Sequence, residues 1–338
     1  MAYESTGDCI NAPKLINSHY MENKIVILDG YTTNPGDLSW QPVEKLGNLT
    51  VYDRTPRSLI IERAKGASLL LTNKTTLDAD IINALPDLRY IGVLATGTNI
   101  VDLEAAHRKG ITVTNIPSYS TDSVAQLVFA LLLSIVYHPE HYTSRNCEHA
   151  WTNCADFSYV DYPLFELSGK LLGIVGFGHI GRRVAGIAEG FGMRIAVETS
   201  KSQDQLPEGY VKMSREQLFR EADVVSLHCP LAPDTEKMIN ASLLSIMKPD
   251  AILINTGRGG LVNEKDLADA LHKGQIYAAG LDVLSQEPPR ADNPLLSAPH
   301  VLITPHIGWA TKEARKRLID ITAANIEAYQ AGHPINLV

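Results

Sequence analysis

From Lys24 almost to the C-terminus, short continuous apolar runs alternate with stretches whose apolar positions recur every three or four residues. The continuous runs fit strands buried on both faces, and the periodic stretches fit helices with one buried stripe. In the first third of the chain the pattern predicts strands at Ile25–Leu28, Thr50–Tyr52, Ser68–Leu71, Tyr90–Leu94 and Thr112–Val113. Short helices are predicted between them at Leu59–Ala64, Ala79–Leu85 and Leu103–Arg108, with Gly66 and Gly110 standing where helices end. Strand–helix alternation of this kind builds a parallel sheet covered on both faces.

Pro117 to Ser120 reads as a hinge, and Thr121–Tyr137 as a long apolar helix. Residues 138–165, rich in His, Asn, Asp, Tyr and Pro, read as loop. A second alternating run follows, with strands at Leu171–Val175, Met193–Val197, Val224–Leu227, Ile252–Ile254, Ala278–Leu281 and Val301–Ile303. An amphipathic helix at Lys312–Gln330 comes last. If it packs on the first sheet, that domain is discontinuous, the chain crosses between domains twice, and the reaction site falls in the cleft at the strands' carboxyl ends.

The strand at Leu171–Val175 runs directly into Gly176-Phe177-Gly178-His179-Ile180-Gly181, where a helical pattern opens. Glycine spacing of this kind between a strand and a helix permits a tight turn, close approach of backbone to a pyrophosphate, and close helix–strand packing. N–H groups at the helix start then point at phosphate oxygens. The stretch therefore predicts a nicotinamide-dinucleotide site.

The 338-residue chain has room for two full cores, and its 45% apolar and 20% charged residues are ordinary for a globular protein. A net charge of −8 provides no basic field for nucleic acid or an anionic membrane. The most apolar run, Val124–Tyr137, is too short to span a bilayer, and no secretory signal is apparent. Residues 1–20 read as a poorly packed extension or an alternative start. Cys9, Cys147, Cys154 and Cys229 show no C-x-x-C spacing, so free thiols in a reducing cytosol are expected. His138, His141 and His149 with Cys147 and Cys154 fit no metal-site spacing, and no metal is expected.

Chemistry-bearing residues gather at predicted strand ends: Ala95-Thr96-Gly97-Thr98-Asn99, Asn255-Thr256-Gly257-Arg258, Leu281-Asp282-Val283 with Glu287 beyond, and Thr304-Pro305-His306. An Arg can clamp a substrate carboxylate through two bonds. A His can give or take the proton that accompanies hydride transfer to a carbonyl, and a carboxylate against it orients the ring.

With these motifs in order, the chain resembles the D-isomer-specific 2-hydroxyacid dehydrogenases from Lys24 to about Val338. The matching stretches are Gly176–Gly181, Ser226-Leu227-His228-Cys229-Pro230-Leu231, Ile254–Val262, Leu281-Asp282-Val283, Glu287-Pro288-Pro289 and Thr304-Pro305-His306-Ile307. Ala95–Asn99, Tyr159–Pro163, Glu287-Pro288-Pro289 and Trp309 are most similar to the glycerate dehydrogenase (hydroxypyruvate reductase) branch. The resemblance implies an α/β architecture of two doubly wound parallel-sheet domains. One is a discontinuous, flavodoxin-like substrate domain (residues 21–117 and 307–338), the other a Rossmann dinucleotide-binding domain (residues 118–306).

It further implies His306 as general acid/base, Glu287 as its partner and Arg258 as the carboxylate clamp, with backbone N–H groups around Thr96, Gly97 and Thr98 holding the same carboxylate. Asp282 would lie by the nicotinamide ring, His228, Cys229, Pro230, Thr256 and Gly257 would line the cofactor groove, and Trp309 would wall the substrate pocket. Each has a plainer reading: Asp282 bonding backbone at its strand end, His228 and Cys229 packing, Glu287 a solvated turn carboxylate. A homodimer through residues around 121–163 is also implied, as is a small 2-oxo or D-2-hydroxy acid substrate.

For the cofactor, an acidic residue ending the second strand accepts the ribose hydroxyls of NAD. Its usual position, counted from Gly181, is Thr199, with Glu198 one residue early. Glu198 in place favours NAD, the expected cofactor; Glu198 pointing away leaves Thr199, Ser200 and Lys201 to cradle the 2′-phosphate of NADP. Two further readings stand beside the reductase: a nicotinamide-sensing binding protein like the family's corepressors, and a phosphite or erythronate-phosphate dehydrogenase.

Overall fold

The computed structural model describes residues 23–338. The N-terminal extension expected at residues 1–20, Cys9 included, lies outside them. The described chain forms two compact units, residues 23–119 with 315–338, and residues 120–314.

The first unit carries a five-stranded parallel sheet of β1 (Lys24–Ile27), β2 (Asn48–Val51), β3 (Leu69–Thr72), β4 (Tyr90–Val93) and β5 (Thr112–Thr114), in the order β2-β1-β3-β4-β5. That is the flavodoxin-like order. Short helices α1 (Gln41–Glu44), α2 (Ile60–Ala64), α3 (Ala79–Asn83) and α4 (Leu103–Arg108) connect the strands. Asp78 and Asp102 cap α3 and α4 by accepting from the backbone N–H of Ile81 and Ala105. Val26, Leu70, Ile91 and Val113 pack with Ile60, Ile81, Ile82 and Ala105 in one core.

The second unit starts with α5 (Thr121–Tyr137) and α6 (Pro139–Cys147). Helix α6 lies within the stretch expected to be loop. None of its residues is fully buried, so the segment has no apolar stripe to betray it. Its sheet has seven strands: β6 (Leu171–Val175), β7 (Arg194–Glu198), β8 (Val211–Lys212), β9 (Val224–Leu227), β10 (Ile252–Asn255), β11 (Ala278–Leu281) and β12 (Val301–Ile303). They are all parallel, in the order β12-β11-β10-β9-β6-β7-β8. The order reverses beside β6, and the glycine-rich turn stands at that switch point.

Four helices, α7 (His179–Gly190), α8 (Arg215–Glu221), α9 (Ala241–Leu244) and α10 (Glu264–His272), divide between the faces. On one face α5 and α7 cover Ile174, Ile195, Val197 and Ile254; on the other α8, α9 and α10 cover Val175, Ala196, Leu227 and Leu253. Covering on both faces explains why these strands read as unbroken apolar runs.

The last helix, α11 (Lys312–Gln330), begins in the second unit and runs on in the first. Arg315, almost fully buried, holds Asp37 with two bonds of 2.7 Å and donates to the carbonyl of Thr33. Asn325 donates to the Asn115 carbonyl, Gln330 to the Leu46 carbonyl, and Leu337 bridges Thr114. Residues 307–314, expected with the substrate domain, belong to the second unit, where the Ile307 and Gly308 N–H groups bond to Asp282. Among the described residues no single helix is long and apolar enough to cross a membrane.

Candidate functional site

Gly176 turns with φ of +94°, and a Cβ there would lie 2.5 Å from the Cys229 backbone nitrogen. A Cβ on Gly181 would collide with the Gly176 carbonyl oxygen. These two glycines therefore set how closely α7 and the β9 end approach β6. At Gly178, by contrast, a Cβ would meet nothing within 4 Å, and the residue is exposed ahead of a twelve-residue helix whose first N–H groups have no intrahelical acceptor. The open side of Gly178, with His179 and Ile180 opening the helix, fits a pyrophosphate.

A second observation agrees. The Thr256 hydroxyl, between β10 and Arg258, is buried without a hydrogen-bond partner. Buried polar groups rarely stay unpaired, so this hydroxyl fits a bound group along the same strand ends.

After β9, the Ser226 hydroxyl meets His228 Nε2 at 2.8 Å, and burial pushes the His228 imidazole down to about 4. A neutral His228 is thus part of the wall, held by a serine that the sequence reading did not single out. The Cys229 thiol is pushed up to about 11, chiefly by burial and then by the nearby Glu198 carboxylate. It has no thiolate character at neutral pH. Pro230 is exposed just beyond.

Glu198, at the end of β7, does not stand open to solvent. Its Oε1 accepts from Arg215 Nη2 at 2.9 Å and Nε at 3.2 Å, while Oε2 is buried without a partner. Strand alternation gives the reason. Ala196 lies on the face covered by α8, so Glu198 faces α8 too, and Arg215 opens that helix. Arg215 lies seventeen residues along from Glu198, and nothing in its local sequence marks it as a partner.

Asp282, 1% exposed, follows β11. Its Oδ1 accepts from the Thr304 hydroxyl at 2.6 Å and the Ile307 N–H at 2.8 Å; its Oδ2 accepts from the Gly308 N–H at 2.8 Å. Its backbone carbonyl accepts from the His306 N–H at 2.8 Å. The carboxylate is committed to the turn that carries His306. That turn needs holding, because His306 sits at φ of +54°, in the left-handed region.

His306 Nδ1 lies 2.6 Å from Glu287 Oε2, and Glu287 Oε1 accepts from the Leu284 N–H. The pair is partly exposed, and His306 Nε2 has no protein partner among the described residues. Arg258 is exposed; its guanidinium makes one bond, to the Gly257 carbonyl, and pairs with no carboxylate among the described residues. The Asn255 side chain shapes its turn, donating to the Arg258 carbonyl and accepting from the Gly257 N–H. A Cβ on Gly259 would run into the Leu284 carbonyl, so the Arg258 turn abuts the segment leading to Glu287. Trp309, half-buried, follows Gly308. An uncommitted Arg and an oriented His, at the ends of β10 and β12 on either side of β11, form a set that can bind a carboxylate and move a proton.

In the first unit, residues 95–99 follow β4. The Thr96 hydroxyl donates to the Ile116 carbonyl, and the Thr96 carbonyl accepts from Asn115. The N–H groups of Gly97 and Thr98 donate to no protein acceptor among the described residues.

Comparison with known proteins agrees with this geometry. Residues 129–308 match the family model described as D-isomer specific 2-hydroxyacid dehydrogenase, NAD binding domain. The chain is similar to a hydroxypyruvate reductase of Blautia hydrogenotrophica, 46% identical over 93% of this chain and 99% of the relative. It is 42% identical to a glycerate dehydrogenase of Methylorubrum extorquens over 82% of this chain and 88% of the relative. Among solved structures, the TT0316 protein of Thermus thermophilus superposes with a TM-score of 0.82 at 34% identity, covering 93% of this chain and 99% of that one. The chain belongs to the D-isomer specific 2-hydroxyacid dehydrogenases, nicotinamide-dependent oxidoreductases of small hydroxy and oxo acids.

Proposed function

We propose that this dehydrogenase reduces hydroxypyruvate to D-glycerate, and glyoxylate to glycolate. The observation that carries the assignment is the His306–Glu287 pair together with the uncommitted Arg258. The two relatives named above, a hydroxypyruvate reductase and a glycerate dehydrogenase, support the choice of acid. The Gly176–Gly181 turn and Thr256 would hold the dinucleotide, which would supply the hydride.

The chain's own residues do the rest. Arg258 clamps the substrate carboxylate through two bonds and so fixes which face of the keto carbon is presented. His306 delivers the proton from Nε2 to the carbonyl oxygen as hydride arrives at carbon. Glu287 holds Nδ1–H, which fixes the tautomer and the ring's orientation. Trp309 forms a wall against the side chain.

Steady-state reduction of hydroxypyruvate, glyoxylate and pyruvate tests the reading. Hydroxypyruvate is expected to give the highest kcat/KM, and failure to turn over any 2-oxo acid overturns the assignment in favour of a sensor. Arg258→Ala is expected to raise KM for the oxo acid with dinucleotide affinity little changed. Losing a charge-assisted bidentate contact costs about 1.5–3 kcal/mol per bond, so kcat/KM should fall by at least ~10-fold. A normal KM in this variant removes Arg258 from the site.

A homodimer is proposed on the exposed apolar side chains Tyr137, Trp151, Phe157, Val160 and Leu164, gathered along one stretch of the second unit. Phe157 is 90% exposed. A cytosolic setting is proposed on the free thiols of Cys147, Cys154 and Cys229.

A further inference from the structure

We propose that the dinucleotide is bound in its 2′-phosphorylated form, NADP, because Arg215 draws Glu198 off the ribose position and leaves Thr199, Ser200 and Lys201 to receive the phosphate. The inference rests on the dehydrogenase reading and deepens it.

The argument begins with parity. Ile195 and Val197 face α7, the helix at the glycine-rich turn, whereas Ala196 and Glu198 face α8. Continuing the alternation, the first residue past the strand on the α7 face is Thr199, an uncharged residue where an NAD site presents a carboxylate. Glu198, the one acidic residue at this strand end, is bound through Oε1 to Arg215, its charge matched by a guanidinium on its own face. Its Oε2 is buried without a protein partner.

The segment that replaces it is cationic. The Lys201 ammonium lies 5.7 Å from the ring centroid of Phe177, the residue between Gly176 and Gly178, so the charge sits beside the glycine-rich turn. Lys212 donates to the Lys201 carbonyl at 2.5 Å, bringing a second ammonium to the same segment. Neither lysine pairs with a carboxylate among the described residues. The Lys201 N–H is bonded to the Thr199 hydroxyl, which shapes the turn, while the N–H groups of Thr199 and Ser200 donate to no protein acceptor among the described residues. Two ammonium groups, two free N–H groups and two hydroxyls suit a dianionic phosphate ester; a bare ribose diol would leave the charges unmatched.

Isothermal titration calorimetry of the full chain with NADP and NAD, and with adenosine 2′,5′-bisphosphate and AMP, tests this without turnover. NADP is expected to bind at least ~10-fold tighter than NAD, and the bisphosphate tighter than AMP by a similar factor, about 1.4 kcal/mol. The margin should shrink with added salt, as for a solvent-exposed charge contact. Lys201→Ala should weaken NADP with NAD unchanged. Thr199→Asp should reverse the preference, and Arg215→Met, by releasing Glu198, should narrow it. Equal or tighter binding of NAD by the unaltered protein, or a ratio unmoved by Lys201→Ala, overturns the proposal and leaves the dehydrogenase reading standing. Binding of neither dinucleotide overturns both.

Discussion

Replacing His306 by alanine is expected to lower kcat by ~10²–10⁴-fold, the usual worth of a positioned general acid, while dinucleotide affinity stays close to that of the parent. The reason is geometric. Nδ1 is tied to Glu287 at 2.6 Å, so of the two ring nitrogens only Nε2 is available to the carbonyl oxygen. Because His306 sits at φ of +54°, alanine also removes a residue type that tolerates the left-handed region. Asparagine tolerates it equally and therefore serves as the control: His306→Asn should keep the turn and the melting temperature while losing turnover just as heavily. Glu287→Gln, which keeps an acceptor beside Nδ1 and loses the charge, should fall between. Stopped-flow reduction at substrate saturation reads all three, and near-normal turnover in His306→Asn removes the residue from the chemistry.

The second large effect is expected from Asp282→Ala, at a residue predicted here to touch the nicotinamide end of the cofactor. Removal of the carboxylate strands the Thr304 hydroxyl and the Ile307 and Gly308 N–H groups, which it now satisfies at 2.6–2.8 Å. Leaving a buried donor unsatisfied costs about 1–3 kcal/mol, so the turn carrying His306 loses several kcal/mol of support. A fall in melting temperature on the order of 10 °C is expected, with kcat reduced because His306 no longer holds its conformation. Asp282→Asn retains the oxygen facing Thr304 and Ile307 but turns an NH₂ towards the Gly308 N–H, so an intermediate loss is expected. Calorimetric melting together with kcat and dinucleotide affinity separates the roles. Weakened dinucleotide binding with unchanged melting and kcat would place Asp282 on the cofactor instead.

Most of the framework was legible because it rests on burial. Val224–Leu227, Ala278–Leu281 and Val301–Ile303 match the predicted strands end for end, and the helices at Thr121–Tyr137 and Lys312–Gln330 likewise. Continuous apolar runs and long amphipathic stripes are what a two-faced parallel sheet demands of its sequence. Helix α6 escaped because a helix that buries no residue completely leaves no periodic trace, and the two-residue strand β8 is too short to leave one. At the site, motif order singled out the glycine turn, His306, Glu287 and Arg258, and the structure ties His306 to Glu287. The commitments of individual side chains were not legible in the sequence. Whether Glu198 faces the ribose depends on strand parity and on a distant Arg215, and whether Asp282 is free depends on a turn twenty-odd residues later.

The closure of the first unit by the chain's last residues orders events during biosynthesis. Its five strands are complete once Thr114 has been made, yet Arg315, Asn325, Gln330 and Leu337, which lock Asp37, Asn115, Leu46 and Thr114, are still unsynthesised. The whole second unit is made in between, which takes roughly 10–40 s at ~5–20 residues per second. The nascent polypeptide therefore leaves the ribosome with an early sheet lacking its last helix, and with a later domain free to fold first.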